Sequence, residues 1–168
     1  MAKVLMTDYE KCTGCRLCEL VCSVKHYGAA NPSRSRIKVV KWEWEGRYVP
    51  MSCQQCLDAP CLQICPVGAI SRDESLNRVA VNHDVCIGCR MCVSICPFGA
   101  MLWDVNDKQV HKCDFCHGDP QCAKFCETGA VKYMEAPNVS SEIQRTAAEK
   151  YMGILQKVAA AMSGGAAE

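Results

Sequence analysis

Sixteen cysteines in a chain of 168 residues fall into four groups of four, with none left over. The first group is Cys12, Cys15, Cys18 and Cys22, and the second is Cys53, Cys56, Cys61 and Cys65. The third is Cys86, Cys89, Cys92 and Cys96, and the fourth is Cys113, Cys116, Cys122 and Cys126. Groups one and three read Cys-x2-Cys-x2-Cys-x3-Cys, whereas two and four stretch the gap between their second and third members. Three thiols at that spacing share one concave loop and can grip neighbouring corners of a cubane, with the fourth ligand arriving from elsewhere. The chemistry implied is [4Fe–4S] ligation, and the full cysteine count implies four such clusters. Structural zinc favours two separated Cys-x2-Cys knuckles, so the spacing argues against zinc, and nothing else in the chain argues for a disulfide scaffold.

The elements that position these thiols repeat as well. Cys65-Pro66-Val67-Gly68-Ala69-Ile70, Cys96-Pro97-Phe98-Gly99-Ala100-Met101 and Cys126-Glu127-Thr128-Gly129-Ala130-Val131 follow one pattern, and group one is the degenerate member. Gly14 and Gly88 let the loop bend so that backbone N–H groups can face sulfur. In two-cluster proteins of this spacing the fourth cysteine of each run ligates the other cluster. Groups two and three share Cys-Pro and lie close in sequence, and groups one and four pair by elimination. The expected ligand sets are therefore Cys12, Cys15, Cys18 with Cys126; Cys53, Cys56, Cys61 with Cys96; Cys86, Cys89, Cys92 with Cys65; and Cys113, Cys116, Cys122 with Cys22. Sequential pairing, one with two and three with four, is the alternative.

Composition narrows the class. Nineteen basic against eighteen acidic residues give a formal charge of +1, which excludes the basic footprint of a nucleic-acid binder. Without its cysteines the chain is lean in apolar residues, so something other than apolar burial must help hold the fold. The sequence has no run of 18 apolar residues, no membrane span and no export signal, which points to a reducing cytoplasm, where dense cysteines are metal ligands.

The stretch from about Tyr9 to Tyr133 resembles the four-cluster, polyferredoxin-like iron–sulfur subunits of molybdenum and tungsten pterin oxidoreductases. Pro50-Met51-Ser52-Cys53-Gln54-Gln55-Cys56 and Ala59-Pro60-Cys61 are similar to that family's second motif. Within the family, the chain looks most like the small subunit of bacterial tungsten aldehyde oxidoreductase. The resemblance implies the same crossed pairing and an α+β fold of two fused bacterial-ferredoxin-like units, related by a pseudo-two-fold. It divides the chain into an outer unit, 1–35 with 105–136, a β-hairpin insertion, 36–52, an inner unit, 53–104, and a C-terminal helix and tail, 137–168. It also implies a non-catalytic electron-transfer role between a pterin-containing catalytic subunit, with an aldehyde as substrate, and a flavin/NAD subunit or other electron acceptor. A hydrogenase, formate dehydrogenase or formate hydrogenlyase subunit, a freely diffusing polyferredoxin and a self-assembling structural polyferredoxin are the competing readings.

Other segments carry expectations of their own. Residues 36–50 read as a hairpin turning at Glu45-Gly46, with Trp42 and Trp44 on one strand side that either faces the core or is an exposed partner contact. A second hairpin joins groups two and three, and Val79-Ala80-Val81 and Leu102-Trp103-Asp104 read as short strands. Ser140 or Ser141 should cap a helix whose apolar row, Ile143, Ala147, Tyr151, Ile154, Leu155, Val158 and Met162, ends at Gly164 and Gly165. That row would cover the outer cluster pair or dock on another subunit, and head-to-tail self-association is one form of the latter. His26, His83, His111 and His117 read as solvated or backbone-satisfied rather than as ligands. Lys11, Arg16, Arg90 and Lys112 adjoin ligands and should offset cluster charge, or else be plain surface cations.

Overall fold

The computed structural model describes residues 3–164. It is a small mixed helix and strand fold. Its strands form four separate antiparallel pairs rather than one sheet. Strand β1 (Lys3–Thr7) pairs with β8 (Val131–Glu135), so the two ends of the cysteine-bearing region are hydrogen-bonded to each other. The remaining pairs are local hairpins: β2 (Lys38–Trp42) with β3 (Arg47–Met51), β4 (Ile70–Asp73) with β5 (Arg78–Val81), and β6 (Leu102–Asp104) with β7 (Gln109–His111). The hairpin between groups two and three and the strands at Val79–Val81 and Leu102–Asp104 are thus where the sequence put them.

Four helices follow the cysteine loops: α1 (Leu17–Tyr27), α2 (Pro60–Gln63), α3 (Met91–Ile95) and α4 (Gln121–Lys124). Helix α1 packs on α4, and α2 packs on α3. Two apolar clusters result. One gathers Cys18, Cys22, Ile37, Cys122 and Val131, with Leu5, Val39 and Cys126 against it. The other gathers Ala59, Ile70, Val79, Cys92, Met101 and Val110, ringed by Cys56, Cys61, Cys65, Cys86 and Cys96.

The insertion is a hairpin, but its connection is longer than a tight turn. Glu43–Glu45 form a 3-10 turn closed by Gly46 in the left-handed region. That turn takes Trp44 out of the strand, leaving it 102% exposed and Trp42 48% exposed, so neither forms a sheet-face core. The inward contacts come from Ile37, Tyr48 and Pro50 instead. Glu19 of α1, fully buried, accepts the Val39 N–H at 2.6 Å and so ties the hairpin to the first helix. Tyr48 lies across the first cysteine loop, where a Cβ on Gly14 would sit 2.5 Å from its ring.

The final helix, α5 (Ala136–Gly164), begins directly after β8. Ser140 and Ser141 are therefore inside it and are not its cap; the Ser141 hydroxyl donates back to the Asn138 carbonyl at 2.9 Å. Helix starts tolerate proline because the first turn needs no N–H, and Pro137 occupies that turn. Among the described residues, α5 packs closely only against β8 and β1. Ile143, Tyr151, Ile154 and Leu155 are all exposed, so the apolar row does not cover the outer cysteines. The side chains of Val158 and Met162, and Gly165 onward, lie outside the described residues. No helix among those described is long and apolar enough to cross a membrane.

Gly14 has φ +72, and its neighbour Tyr48 leaves no room for a side chain. Alanine there meets both a left-handed backbone penalty and overpacking, for a loss of about 2–4 kcal/mol. Gly28 also has positive φ but faces open space, so Gly28→Ala should cost only about 1–2 kcal/mol. Thermal melts of the two iron-loaded variants should separate them in that order.

Candidate metal centres

Each of the four loops has the same backbone plan. The residue before the second cysteine is left-handed in every case: Gly14 (φ 72), Gln55 (φ 50), Gly88 (φ 68) and Phe115 (φ 58). The third cysteine is always the second residue of the following helix: Cys18 in α1, Cys61 in α2, Cys92 in α3 and Cys122 in α4. The short loops enter that helix through a left-handed arginine, Arg16 or Arg90. The stretched loops enter it through proline, Pro60 or Pro120, whose fixed φ suits a helix start. The extra residues in groups two and four thus change the route into the helix and leave the ligand position unchanged.

The fourth cysteines share a hydrogen-bond device. Gly68, Gly99 and Gly129 each turn back onto the carbonyl of Cys65, Cys96 and Cys126, at 3.3, 3.2 and 3.1 Å. The turn aims a following N–H at the sulfur: Ala69 at Cys65 Sγ, 3.2 Å, Ala100 at Cys96 Sγ, 3.4 Å, and Val131 at Cys126 Sγ, 3.3 Å. Cys22 lies inside α1, where the chain continues as helix, and receives its N–H from Arg36 at 3.3 Å. The degenerate text after Cys22 therefore reflects a different donor for the same bond. N–H donors to sulfur stabilise the thiolate over the thiol.

The structure brings Cys53, Cys56, Cys61 and Cys96 around one cavity and Cys65, Cys86, Cys89 and Cys92 around another. Cys22 lies with Cys113, Cys116 and Cys122, close enough for their charges to affect one another. Cys18 has Cys15 and Cys12 as electrostatic neighbours, and Cys126 packs into the same core as Cys18. No disulfide joins any of the sixteen cysteines. Burial pushes the thiols of Cys18 and Cys113 up to about 12 and that of Cys92 to about 11, and it also raises Cys61, Cys116 and Cys122.

This donor set fits an anionic iron–sulfur group. The last sulfur of each group faces an N–H donor, and Lys112, 4% exposed, lines the cavity of Cys53, Cys56, Cys61 and Cys96 as a buried cation. Lys112 is therefore not a surface cation. Lys11 pairs with Asp8 and Arg16 with Glu19, whereas Arg90 lies over the Trp103 ring. The sequence offered only adjacency to a ligand for all four, with no signal of which one is buried.

The histidines differ from their solvated reading. Only His117 is exposed; the His111 side chain is 7% exposed, and neither of its ring nitrogens has a hydrogen-bond partner. The Tyr27 ring meets it edge-on and the His83 ring lies tilted beside it. His26 Nε2 sits 3.7 Å from Cys116 Sγ and 3.5 Å from Asp114, and burial, with Arg36 beside it, pushes its imidazole down to about 4. Arg36 also holds Asp114 at 2.9 Å, but burial is the largest influence on that carboxyl, opposing the net lowering by Arg36 and His26.

Comparison with known proteins places these loops among relatives. A 4Fe-4S dicluster domain matches residues 44–136, and a 4Fe-4S binding domain matches residues 9–25. The chain is 40% identical over 160 residues to the polyferredoxin-like subunit of an aliphatic sulfonate oxidoreductase from Pyrococcus furiosus, covering 92% of this chain and 91% of that one. It is 39% identical over 152 residues to the putative electron transport protein YsaA of Escherichia coli, with 83% and 94% covered. It is 33% identical over 160 residues to the thiosulfate reductase electron transfer subunit PhsB of Salmonella typhi, with 88% and 82% covered.

Metal can bind these thiols only by displacing their protons. Raised pKa values of about 11 to 12 make that displacement costly in acid. Loading with iron and sulfide should therefore improve steadily from pH 7 to pH 9, with protons released. A yield independent of pH, followed by the visible charge-transfer absorbance, would show that the thiols are already ionised.

Proposed function

Because the chain belongs to the 4Fe-4S dicluster domain family, as an electron-transfer iron–sulfur subunit of oxidoreductase complexes, we propose that it relays single electrons through four [4Fe–4S] clusters. The observation that carries the count is the recurrence of one loop plan four times, with the third cysteine at the second helical residue each time. The proposed ligand sets are the crossed ones. The cavity lined by Cys53, Cys56, Cys61 and Cys96, and that lined by Cys65, Cys86, Cys89 and Cys92, support two of them. The packing of α1 on α4, with Cys22 among Cys113, Cys116 and Cys122, supports the others.

When bound, such clusters supply one-electron transfer without atom transfer. The chain's own residues would hold them and donate an N–H bond to the last cysteine sulfur of each group. In this reading the donor or acceptor at one end is a catalytic subunit carrying a tungsten or molybdenum pterin that oxidises an aldehyde to an acid. At the other end is a second redox partner such as a flavin/NAD subunit, and the complex works in the cytoplasm. The 40% identity to the polyferredoxin-like subunit of an aliphatic sulfonate oxidoreductase favours a sulfonate as a second substrate reading.

The test is to isolate the chain anaerobically with whatever subunits accompany it. About 16 iron and 16 sulfide per chain are expected, with tungsten or molybdenum in the associated subunit. Near 8 iron would reduce the relay to two clusters. A second expectation concerns α5, whose apolar row is open to solvent. Truncation after Pro137 should lower the mass of the complex by light scattering, through loss of a bound subunit or of head-to-tail copies. An unchanged mass would remove α5 from assembly altogether.

A further inference from the structure

Among the described residues, Lys112 joins two cysteine loops from opposite halves of the chain by a buried positive charge. It follows β7 and immediately precedes Cys113. Its ammonium has three acceptors: Gln55 Oε1 at 2.9 Å, the Cys113 carbonyl at 3.0 Å, and the Val79 carbonyl. All three protons are thus used, and all three acceptors are neutral. A buried cation needs a compensating anion. The other cations beside ligands have theirs on the protein or lie on the surface: Lys11 on Asp8, Arg16 on Glu19, and Arg90 over an aromatic ring.

Gln55 completes the junction. It sits left-handed in the second cysteine loop, between Cys53 and Cys56, and is buried. Its Nε2 donates to the Cys113 carbonyl at 2.7 Å, and its Oε1 accepts the Val79 N–H at 2.8 Å as well as the Lys112 proton. One side chain therefore connects the loop of Cys53 and Cys56 to the loop of Cys113 and Cys116. Lys112 itself lines the cavity of Cys53, Cys56, Cys61 and Cys96.

We propose that Lys112, held by Gln55, is a positioning residue of the electron relay: it supplies the counter-charge at the junction between the two halves and raises the reduction potentials of the clusters on either side. This rests on the four-cluster reading above. A fixed cation stabilises the more negative, reduced form of a nearby cluster, and low surrounding dielectric lengthens its reach. Raising both flanking potentials together keeps the step between halves close to balanced, so that electrons can pass it in either direction.

The test is an anaerobic redox titration of the iron-loaded chain, followed by electron paramagnetic resonance. Lys112→Met should disfavour reduction of one or both flanking clusters about tenfold, which is about 59 mV for one electron, and leave the other two unmoved. Lys112→Arg should restore the wild-type values. Gln55→Glu tests the same charge without touching the lysine, since a carboxylate there neutralises it, and it should lower the same potentials. Unchanged potentials in Lys112→Met and Gln55→Glu proteins that keep their full iron would overturn the proposal, as would an equal shift of all four clusters. Either result leaves the relay reading intact. A wild-type chain that takes up no iron at Cys53, Cys56, Cys61 and Cys96 would overturn that reading and this one together.

Discussion

The side chains that could hold this fold together are largely the ones its chemistry requires. Cys18, Cys22 and Cys122 are three of the five residues at one apolar cluster's buried centre, and five cysteines ring the other. With short helices and two-stranded sheets around them, few other groups are available to fill the interior. A buried thiol behaves as a small apolar residue, whereas a buried thiolate does not. The architecture has to serve both. It does so by placing N–H donors on the four last sulfurs and one buried ammonium between loops, so the charged form is tolerated without opening the core to water.

That requirement explains why the loops are more alike in backbone than in sequence. Groups one and three announce themselves through regular spacing and a glycine. Groups two and four reach the same conformation with Gln55 and Phe115 in left-handed positions that ordinarily favour glycine. Aligning the four groups would have marked these two residues as occupants of a glycine site. The sequence could not say what holds them there. Gln55 is held by three hydrogen bonds that reach β5, Lys112 and the Cys113 carbonyl, and Phe115 is held by full burial against Tyr133.

The cysteine groups, two of the three hairpins, the first strand of the third and the existence of a final helix were legible because spacing and alternation are local signals. What failed was local geometry decided by distant contacts. Trp44 alternates correctly for a strand, but the 3-10 turn that carries it out of the sheet is set by Gly46 and by what β3 must cover. Helix α5 starts at Ala136 rather than at a serine cap because it grows straight out of a paired strand. Histidine spacing gave no hint that His26, His83 and His111 converge with Tyr27 and Arg36, since those residues come from four separate segments.

The pairing of β1 with β8 sets an order of completion. The partners of α2 and β4 arrive within a few tens of residues, so that half can close while the rest of the chain is still being synthesised. The other half begins first and must wait longest, because Thr7 meets Val131 only when nearly the whole cysteine region exists. The intervening segment is by then folded and compact, which shortens the effective loop whose closure opposes that pairing; each doubling of a flexible loop costs about 0.6 kcal/mol. Until then Cys12, Cys15 and Cys18 have neither α4 nor Cys126 beside them. The nested topology thus leaves a newly made amino-terminal thiol triad exposed to the surroundings for the longest time, and makes it the part of the molecule most dependent on a reducing environment or an escort during biogenesis.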